Sequence, residues 1–297
     1  MSSNVLPSNE IEATDRLVEV VDLFENANVG LMLTDRAGTV LRANGAQRRL
    51  VAWPSSGSSP GLPARALFPD AAWELMTTTS AAGHALHNLA VTIRRADGSA
   101  QDALLDVNGE PDGDLLRIVT RPRLQAAVPG PQDADAGEWH MQWGQADIAA
   151  PAELPHNEMS AITQELDDFF EHLPVAIHQV PPTGLTSRAN RAQLRMLGCA
   201  EDPEKFLGQL PIPFFPVEAD LAVMADGLFN WGAIVNYPTT MRRLDGSDVP
   251  VVVYSSSRVV DGDWRSTRCF CFYANASDAP DSPADGTLGV VAAPSRL

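Results

Sequence analysis

The sequence predicts an α+β protein built from two copies of one domain, each a five-stranded antiparallel sheet with short helices on one face. Three observations lead to this prediction: the length of the chain, an internal repeat, and one order of helix and strand signals in both halves. At roughly 150 residues per domain, a chain of 297 residues fits two domains that are each large enough to bury a core.

The two halves share short motifs in the same order, at a nearly constant spacing of 146 to 148 residues. The pairs are Phe24-Glu25 with Phe170-Glu171, Ala43-Asn44 with Ala189-Asn190, Phe68-Pro69 with Phe215-Pro216, Asn88 with Asn236, and Asp97-Gly98 with Asp245-Gly246. A repeat at one spacing indicates a duplicated domain. The chain therefore divides into an N-terminal amphipathic helix (1–21), domain 1 (22–124), a linker (125–157), a helix with domain 2 (158–274) and a tail (275–297).

Each copy begins with an amphipathic helix. Apolar residues at three- and four-residue spacing run from Ile11 to Phe24 ahead of the first copy. The same pattern runs from Met159 to Leu173 ahead of the second copy, where Pro174 ends it. A stripe of this kind serves either to cover the helix's own domain or to form a dimer seam.

The next signals in each copy predict a hairpin, then short helices, then three longer strands. In the first copy the hairpin strands are 30–34 and 39–43. In the second copy the predicted elements are strands 175–180 and 185–189, a helix over 218–229, and strands 233–243, 249–260 and 264–273. Asp and Gly in the turns favour tight reversals, so the order predicts an antiparallel meander with helices on one face. Asn44 and Asn190 stand where a strand passes into a helix, and we expect both to be N-caps.

The linker 125–157 is rich in Ala, Pro and acidic residues and contains no Lys or Arg. We expect it to be flexible, and we expect the acidic tail 275–297 to be disordered. Trp139 and Trp143 lie four residues apart in the linker, which would place both on one face of a short helix. That pair is either a helical turn packed on a neighbouring domain or a docking motif that binds another protein.

Charge and composition exclude several classes of function. The 21 Lys+Arg against 38 Asp+Glu leave a net charge of −17, which disfavours binding to nucleic acid and to anionic lipid. The chain has no apolar run of roughly 18 residues and no basic, apolar leader at its start, so we expect no membrane span and no export. Cys199, Cys269 and Cys271 do not make a disulfide framework, and a cytoplasmic location fits best.

The motifs of the second copy stand in a characteristic order, and the first copy keeps fewer of them. They are Phe170-Glu171, Pro174-Val175-Ala176-Ile177-His178, Ala189-Asn190-Arg191-Ala192, Arg242-Arg243-Leu244-Asp245-Gly246-Ser247, and Asp261-Gly262 before Thr267-Arg268-Cys269-Phe270. This order resembles the PAS sensor domain, and in particular the PAS modules of bacterial sensor histidine kinases. The resemblance implies signal transduction in a bacterial two-component system, with a homodimer and a histidine kinase or regulator as partners.

The second copy is the better candidate for a ligand pocket between sheet and helices, because it carries more aromatic and soft side chains there. The candidate ligand-binding residues are His178, Phe215, Met224, Phe229, Trp231 and Tyr254. The same residue types also fill ordinary cores. Cys269 and Cys271 alternate on one strand and are expected to be small buried side chains, with a redox-sensitive pair as the alternative; no metal site is predicted.

The sequence favours a non-enzymatic cytoplasmic sensor that binds a small ligand or a protein partner and relays the change through its flanking helices. No phosphate-binding glycine loop, kinase core or catalytic constellation is recognised. One alternative is a ligand-free dimeric adaptor that recruits a kinase or transcription factor. Another is a haem sensor using His178, His84 or His87. Flavin photochemistry is disfavoured, because Cys199 lacks the Asn-Cys-Arg-Phe motif of the light-oxygen-voltage branch.

Overall fold

The structure is a computed structural model, which describes residues 8–53, 63–111, 113–123 and 156–282. Trp139 and Trp143, the predicted docking motif, lie outside the described residues, as does most of the linker. Within the described ranges, no helix is both long and apolar enough to span a bilayer.

Domain 1 is a single antiparallel sheet with two helices on one face and a longer helix ahead of it. The helices are α1 (Ser8–Glu25), α2 (Gly45–Leu50) and α3 (Asp70–Ala81). The strands are β1 (Gly30–Asp35), β2 (Val40–Ala43), β3 (Leu86–Arg94), β4 (Ala100–Gly109) and β5 (Leu115–Pro122). They lie in the order β2-β1-β5-β4-β3, so the first hairpin sits beside the last strand of the meander.

Domain 2 repeats this arrangement. Its helices are α4 (His156–His172), α5 (Arg191–Leu197) and α6 (Glu218–Asn230). Its strands are β6 (Ala176–Val180), β7 (Arg188–Ala189), β8 (Ala233–Arg242), β9 (Asp248–Val260) and β10 (Asp263–Tyr273). The order β7-β6-β10-β9-β8 is that of domain 1, and the predicted α+β class with two five-stranded antiparallel sheets is confirmed.

One strand is much shorter than the sequence predicts. The prediction ran over 185–189, whereas β7 contains only Arg188 and Ala189. The reason lies in Thr186, whose backbone N–H donates to the carbonyl of Gln209 and whose carbonyl accepts from the N–H of Gly208. Because that loop takes the polar groups of Thr186, only the end of the segment pairs with β6.

Asn44 and Asn190 join three elements of their domains, and their predicted N-cap role is confirmed. The Oδ1 of Asn190 accepts from the backbone N–H of Gln193 at 2.9 Å and of Ile177 at 3.0 Å. Its Nδ2 donates to two carbonyls, those of Phe170 at 3.1 Å and Val175 at 2.9 Å. Asn44 makes the same four bonds, to Gln47, Leu31, Phe24 and Val29. Each side chain thus ties the end of the long helix to the first strand and to the next helix.

The two domains pack against each other through the faces of their sheets that the short helices do not cover. Side chains from both domains form one apolar cluster there, which includes Leu31, Val119, Phe270 and Phe272. Helices α1 and α4 also lie in this interface, where the rings of Phe24 and Phe169 meet edge to face at 5.3 Å. The amphipathic stripes therefore form a seam between the two halves of one chain.

The tail was predicted to be disordered, but its first part packs against domain 1. Residues 275–282 form a short 3-10 turn at Ala276–Asp278 and then reach domain 1. The carboxylate of Asp281 contacts Nε2 of His87 at 3.1 Å, and its carbonyl accepts from the N–H of Ala85 at 3.2 Å. Composition alone could not show this, since the attachment depends on a buried histidine almost two hundred positions away.

Candidate functional site

A row of polar side chains crosses the sheet of domain 2 on the face that α5 and α6 cover. The strand register places five residues side by side from β7 to β8: Ala189, His178, Cys269, Ser255 and Ile234. Residues directly opposite on neighbouring strands point to the same face. The three middle positions, which we call the polar row, are therefore histidine, cysteine and serine.

The helix above the row contributes Gln193. The Nδ1–H of His178 donates to Oε1 of Gln193 at 3.0 Å, and both residues are almost fully buried. The ring of Phe206 meets the His178 ring edge to face at 5.5 Å. The Nε2 of Gln193 has no hydrogen-bond partner among the described residues, although the side chain is inaccessible to solvent. Gln47, its counterpart in domain 1, is also buried and without a hydrogen-bond partner at Nε2 among the described residues, so what is particular to domain 2 is that this donor lies beside a histidine.

Cys269 makes hydrogen bonds on several sides, donating to Thr267 and pairing with Ser255, where either group can donate. Its sulfur lies 3.0 Å from Oγ of Ser255 and 3.5 Å from Oγ1 of Thr267. His178 stands opposite it on β6 and also hydrogen-bonds to it. Cys269 is partly accessible, whereas Cys271, two residues further on the same strand, is buried. Cys269 is therefore the residue of the polar row that keeps some exposed area, whereas His178 and Ser255 are buried.

The protonation of the histidine and the cysteine is coupled. Burial by itself lowers the pKa of His178, but the charge and hydrogen bonds of Cys269 and Cys271 raise that pKa well above 6.5. Burial raises the pKa of Cys269, but the charge and hydrogen bond of His178, with those of Ser255 and Thr267, bring that pKa below its ordinary value. Each of the two groups therefore stabilises the charged form of the other.

Domain 1 shows what the same positions look like without polar groups. The corresponding row, from β2 to β3, is Ala43, Met32, Ile118, Val107 and Leu86. All five side chains are apolar and buried in one cluster. The two copies share sheet order and register, so the chemical difference between the rows is local to these side chains.

The strand that carries Cys269 also carries the contact with domain 1. Arg268 and Phe270, its neighbours in the chain, point to the opposite face, because successive residues of a strand alternate. Arg268 binds the carboxylate of Asp22 on α1 at 2.9 Å, and Phe270 lies in the cluster between the domains. One strand thus connects the polar row to the interface.

Searches for similar proteins find likeness in structure alone: no protein-family model and no curated protein matches the chain. The PAS domain of an HTR-like protein from Haloarcula marismortui is 19% identical with a TM-score of 0.33, covering 39% of this chain and 95% of its own. An RNA-binding light-oxygen-voltage receptor is 13% identical with a TM-score of 0.34, covering 84% and 96%. A light-oxygen-voltage protein from Rhodobacter sphaeroides is 16% identical with a TM-score of 0.32, covering 52% and 94%. These likenesses carry no argument about ligand or partner.

Both halves have the same strand order, short helices on one face of the sheet and a long helix ahead of it. Each half of the chain has a PAS-like fold. The two PAS-like domains face each other through their sheets, and the polar row lies inside PAS-like domain 2, between its sheet and its short helices.

The structure does not bring the six candidate ligand residues together. Phe215 and Met224 lie in the apolar cluster on the helix-covered side of PAS-like domain 2, the side that His178 faces. Phe229 is 68% exposed beside Trp264, and Trp231 is 49% exposed. Tyr254 is buried on the other face of the sheet, in the cluster between the domains.

The sequence interpretation missed Gln193, Ser255 and the polar role of Cys269. Tyr254 was chosen by residue type. Because successive residues of a strand point to opposite faces, Ser255 faces the helices and Tyr254 faces the interface between the domains. The repeat held a usable signal: His178 aligns with Met32 at the same spacing that relates Asn190 to Asn44. A position where one copy has a polar residue and the other copy has an apolar residue is a candidate for a functional role.

Two of the three histidines considered for haem are engaged by protein groups. His178 uses Nδ1 for Gln193 and interacts with the thiols of Cys269 and Cys271. His87 binds carboxylates through both ring nitrogens, and His84 is exposed after α3. An axial ligand needs a ring nitrogen that is free to bind iron. His178 and His87 therefore do not fit an axial haem ligand, and the described residues contain no cluster of three or more metal-ligating side chains.

Proposed function

We propose that this chain is a non-enzymatic cytoplasmic signalling sensor in which PAS-like domain 2 detects a small molecule at the polar row. The observation that carries the proposal is the contrast with domain 1, where the same positions are apolar and buried. An unsatisfied buried polar group costs about 1 to 3 kcal/mol. A ligand that accepts a hydrogen bond from Nε2 of Gln193 would recover this energy.

The proposed ligand is small and carries a hydrogen-bond acceptor. His178, Ser255 and Gln193 would supply the polar contacts, and Phe215 and Met224 would belong to the apolar wall. Mixed walls of this kind, mostly apolar with a few convergent polar groups, are typical of small-molecule sites.

The proposed relay runs through β10. A ligand that changes the hydrogen bonding of Cys269 acts on the strand whose other face holds Arg268 and Phe270 against PAS-like domain 1. Tyr254 takes part from β9, where its ring contacts that of Phe272 at 5.4 Å. A signal of this type shifts the population between two packings of the domains, provided the ligand prefers one of them.

Native mass spectrometry of the purified full chain, followed by release and mass analysis of any bound molecule, tests the proposal. His178→Met and Cys269→Ile install the residues of domain 1 and should abolish binding. Phe229→Ser, on the exposed surface, is the matched control and should keep it. A chain that carries no small molecule and takes up none from a metabolite extract would contradict the ligand site.

A second candidate function, a protein-docking module, is favoured by one observation. Among the described residues, all exposed large apolar side chains lie in PAS-like domain 2: Leu185, Leu210, Ile212, Val217, Val223, Phe229, Trp231 and Leu244. Exposed apolar groups concentrated on one domain are typical of interaction surfaces. We propose a histidine kinase or a regulator as the partner, or a second copy of the chain. A homodimer would use this surface, because α1 and α4 already pack on each other within one chain.

Pull-down with a candidate kinase or regulator separates the two functions. Phe229→Ser with Trp231→Ser should remove partner binding and leave the small-molecule site intact. Trp139→Ala with Trp143→Ala should also weaken partner binding if the linker takes part in docking. Unchanged binding in both double variants would argue against the docking function.

A further inference from the structure

We propose that Cys269 is a redox-reactive thiol, which small hydroperoxides oxidise to a sulfenic acid while His178 donates the proton to the leaving group. This inference deepens the proposed sensor function and rests on it for its signalling consequence. The chemistry itself depends on the polar row alone.

Access is the first argument. Among the described cysteines, Cys269 is the accessible one, whereas Cys199 and Cys271 are buried. A residue in the middle of a five-stranded sheet and beneath helices is normally closed off, as Ile118 is at the same position of domain 1. Because Cys269 keeps some exposed area, we expect a reagent of a few atoms, such as hydrogen peroxide, to reach it.

Charge is the second argument. Three groups that can donate hydrogen bonds converge on the sulfur of Cys269: His178, Ser255 and Thr267. Donors of this kind stabilise a thiolate, which is the nucleophilic form of cysteine. Cys271 shares the interaction with His178 but not those with Ser255 and Thr267, and Cys199 has none of the three; burial raises the pKa of both thiols.

The step balances without any further reagent. The thiolate sulfur of Cys269 attacks one peroxide oxygen and forms an S–O bond while the O–O bond breaks. The leaving hydroxide takes the proton of the His178 imidazolium and becomes water. The sulfur is oxidised by two electrons, the peroxide is reduced by two, and a sulfenic acid and a neutral imidazole remain.

The product changes the centre of PAS-like domain 2. Oxidation adds an oxygen atom to the row and removes the charge pair between Cys269 and His178. Both changes act on β10, whose other face holds Arg268 against Asp22 of domain 1. We expect the contacts between the domains to loosen or to shift when the sulfenic acid forms.

Labelling of sulfenic acid with a 1,3-diketone probe tests the proposal on the full chain. Hydrogen peroxide is added together with the probe, and peptide mass spectrometry locates the adduct. We expect labelling at Cys269 in the wild type and in Cys199→Ser and Cys271→Ser, and its loss in Cys269→Ser. Labelling that is absent from Cys269, or equal at all three cysteines, would overturn the proposal.

His178→Gln tests the proton donor. The labelling rate at neutral pH should fall at least about fivefold, because an ordinary thiol is only a few per cent thiolate there. The wild-type rate should depend less steeply on pH between 6 and 8 than the variant rate, which should rise as an isolated thiol ionises. Ser255→Ala with Thr267→Val removes the other donors and gives the same comparison if His178→Gln does not fold. Equal rates and equal pH profiles would exclude the role of His178.

Hydrogen exchange at the domain interface separates this inference from the function on which it rests. Oxidation at Cys269 with faster exchange in α1 supports both. Oxidation with unchanged exchange supports the chemistry and contradicts the relay. A released small ligand without any oxidation at Cys269 supports the sensor site and overturns the redox inference.

Discussion

Arg117 and Arg268 occupy equivalent positions in the two domains, and each binds an aspartate on the long helix of the other domain. Arg117 lies opposite Leu33 in the sheet and Arg268 opposite Gln179, positions that the repeat aligns. The Arg117 guanidinium contacts Asp168 on α4 at 2.9 Å, and Arg268 contacts Asp22 on α1 at 2.9 Å. The two halves therefore pair as the subunits of a symmetric dimer would, with the same contact made twice.

The two ion pairs should differ in their effect on stability. Arg268 and Asp22 are 1% and 12% exposed, whereas Asp168 is 49% exposed. Asp22→Asn leaves a buried arginine unpaired and should lower the free energy of unfolding by about 3 kcal/mol. Asp168→Asn should cost less than about 1 kcal/mol, because Asp168 is half exposed and Arg117 keeps a second carboxylate partner, Glu110, at 3.1 Å. Urea unfolding of both variants measures the difference, and equal losses would contradict it.

The capping asparagines should be equally important in both domains. Asn190→Ala removes four buried hydrogen bonds and should cost about 3 kcal/mol or more. Asn44→Ala removes the same four bonds and should cost the same within about 1 kcal/mol. Thermal unfolding measures both, with the exposed Asn275→Ala as a control expected to change stability by less than about 0.5 kcal/mol. If Asn44→Ala leaves the melting temperature unchanged, the capping asparagine is important for stability in domain 2 alone.

The attachment of the tail should weaken at alkaline pH. Burial lowers the pKa of His87, but hydrogen bonds to Asp106 and Asp281 outweigh it and raise the pKa to about 9. Because this pKa lies above that of the unfolded chain, the stabilisation is full below about pH 6.5 and is lost as the pH rises through about 9. The full stabilisation amounts to about 3 kcal/mol, and it declines steadily between those two pH values.

His87→Gln isolates this effect. The wild type should lose stability relative to the variant between pH 7 and 10, and hydrogen exchange at residues 279–282 should speed up over the same range. Tyrosines and cysteines titrate in both proteins and cancel in the comparison. Parallel pH profiles for the two proteins would show that His87 does not hold the tail.

The aromatic residues of domain 2 should divide into two classes. Phe206 is buried, with ring contacts to His178 and to Phe214 at 5.0 Å, so Phe206→Ala should cost about 3 to 5 kcal/mol. Phe229 is mostly exposed, and Phe229→Ala should change stability by less than about 0.5 kcal/mol. Denaturant unfolding of both variants tests this division. A large loss from Phe229→Ala would indicate that its contact with Trp264 holds the domain together.

Much of the fold could be predicted from the sequence, because the signals that specify it are local. The repeat, the amphipathic helices, the Asp-Gly turns and the capping asparagines act over a few residues each. For the candidate site, residue type pointed to His178, and strand alternation placed Cys269 and Cys271 on one face. The exposure of Phe229 and the orientation of Tyr254 could not be derived, since each depends on which element covers which face.

The sequence by itself determined that the chain is a duplicated α+β domain. The tertiary structure alone decided that the two sheets face each other and that Cys269, partly exposed, lies opposite His178 in the polar row. It also brought Asp281 to His87. These contacts join residues far apart in the chain, as Arg268 and Asp22 are at 246 positions. No periodicity or short motif encodes such a pairing, because it arises only when two separately formed surfaces meet and bury each other's apolar and charged groups.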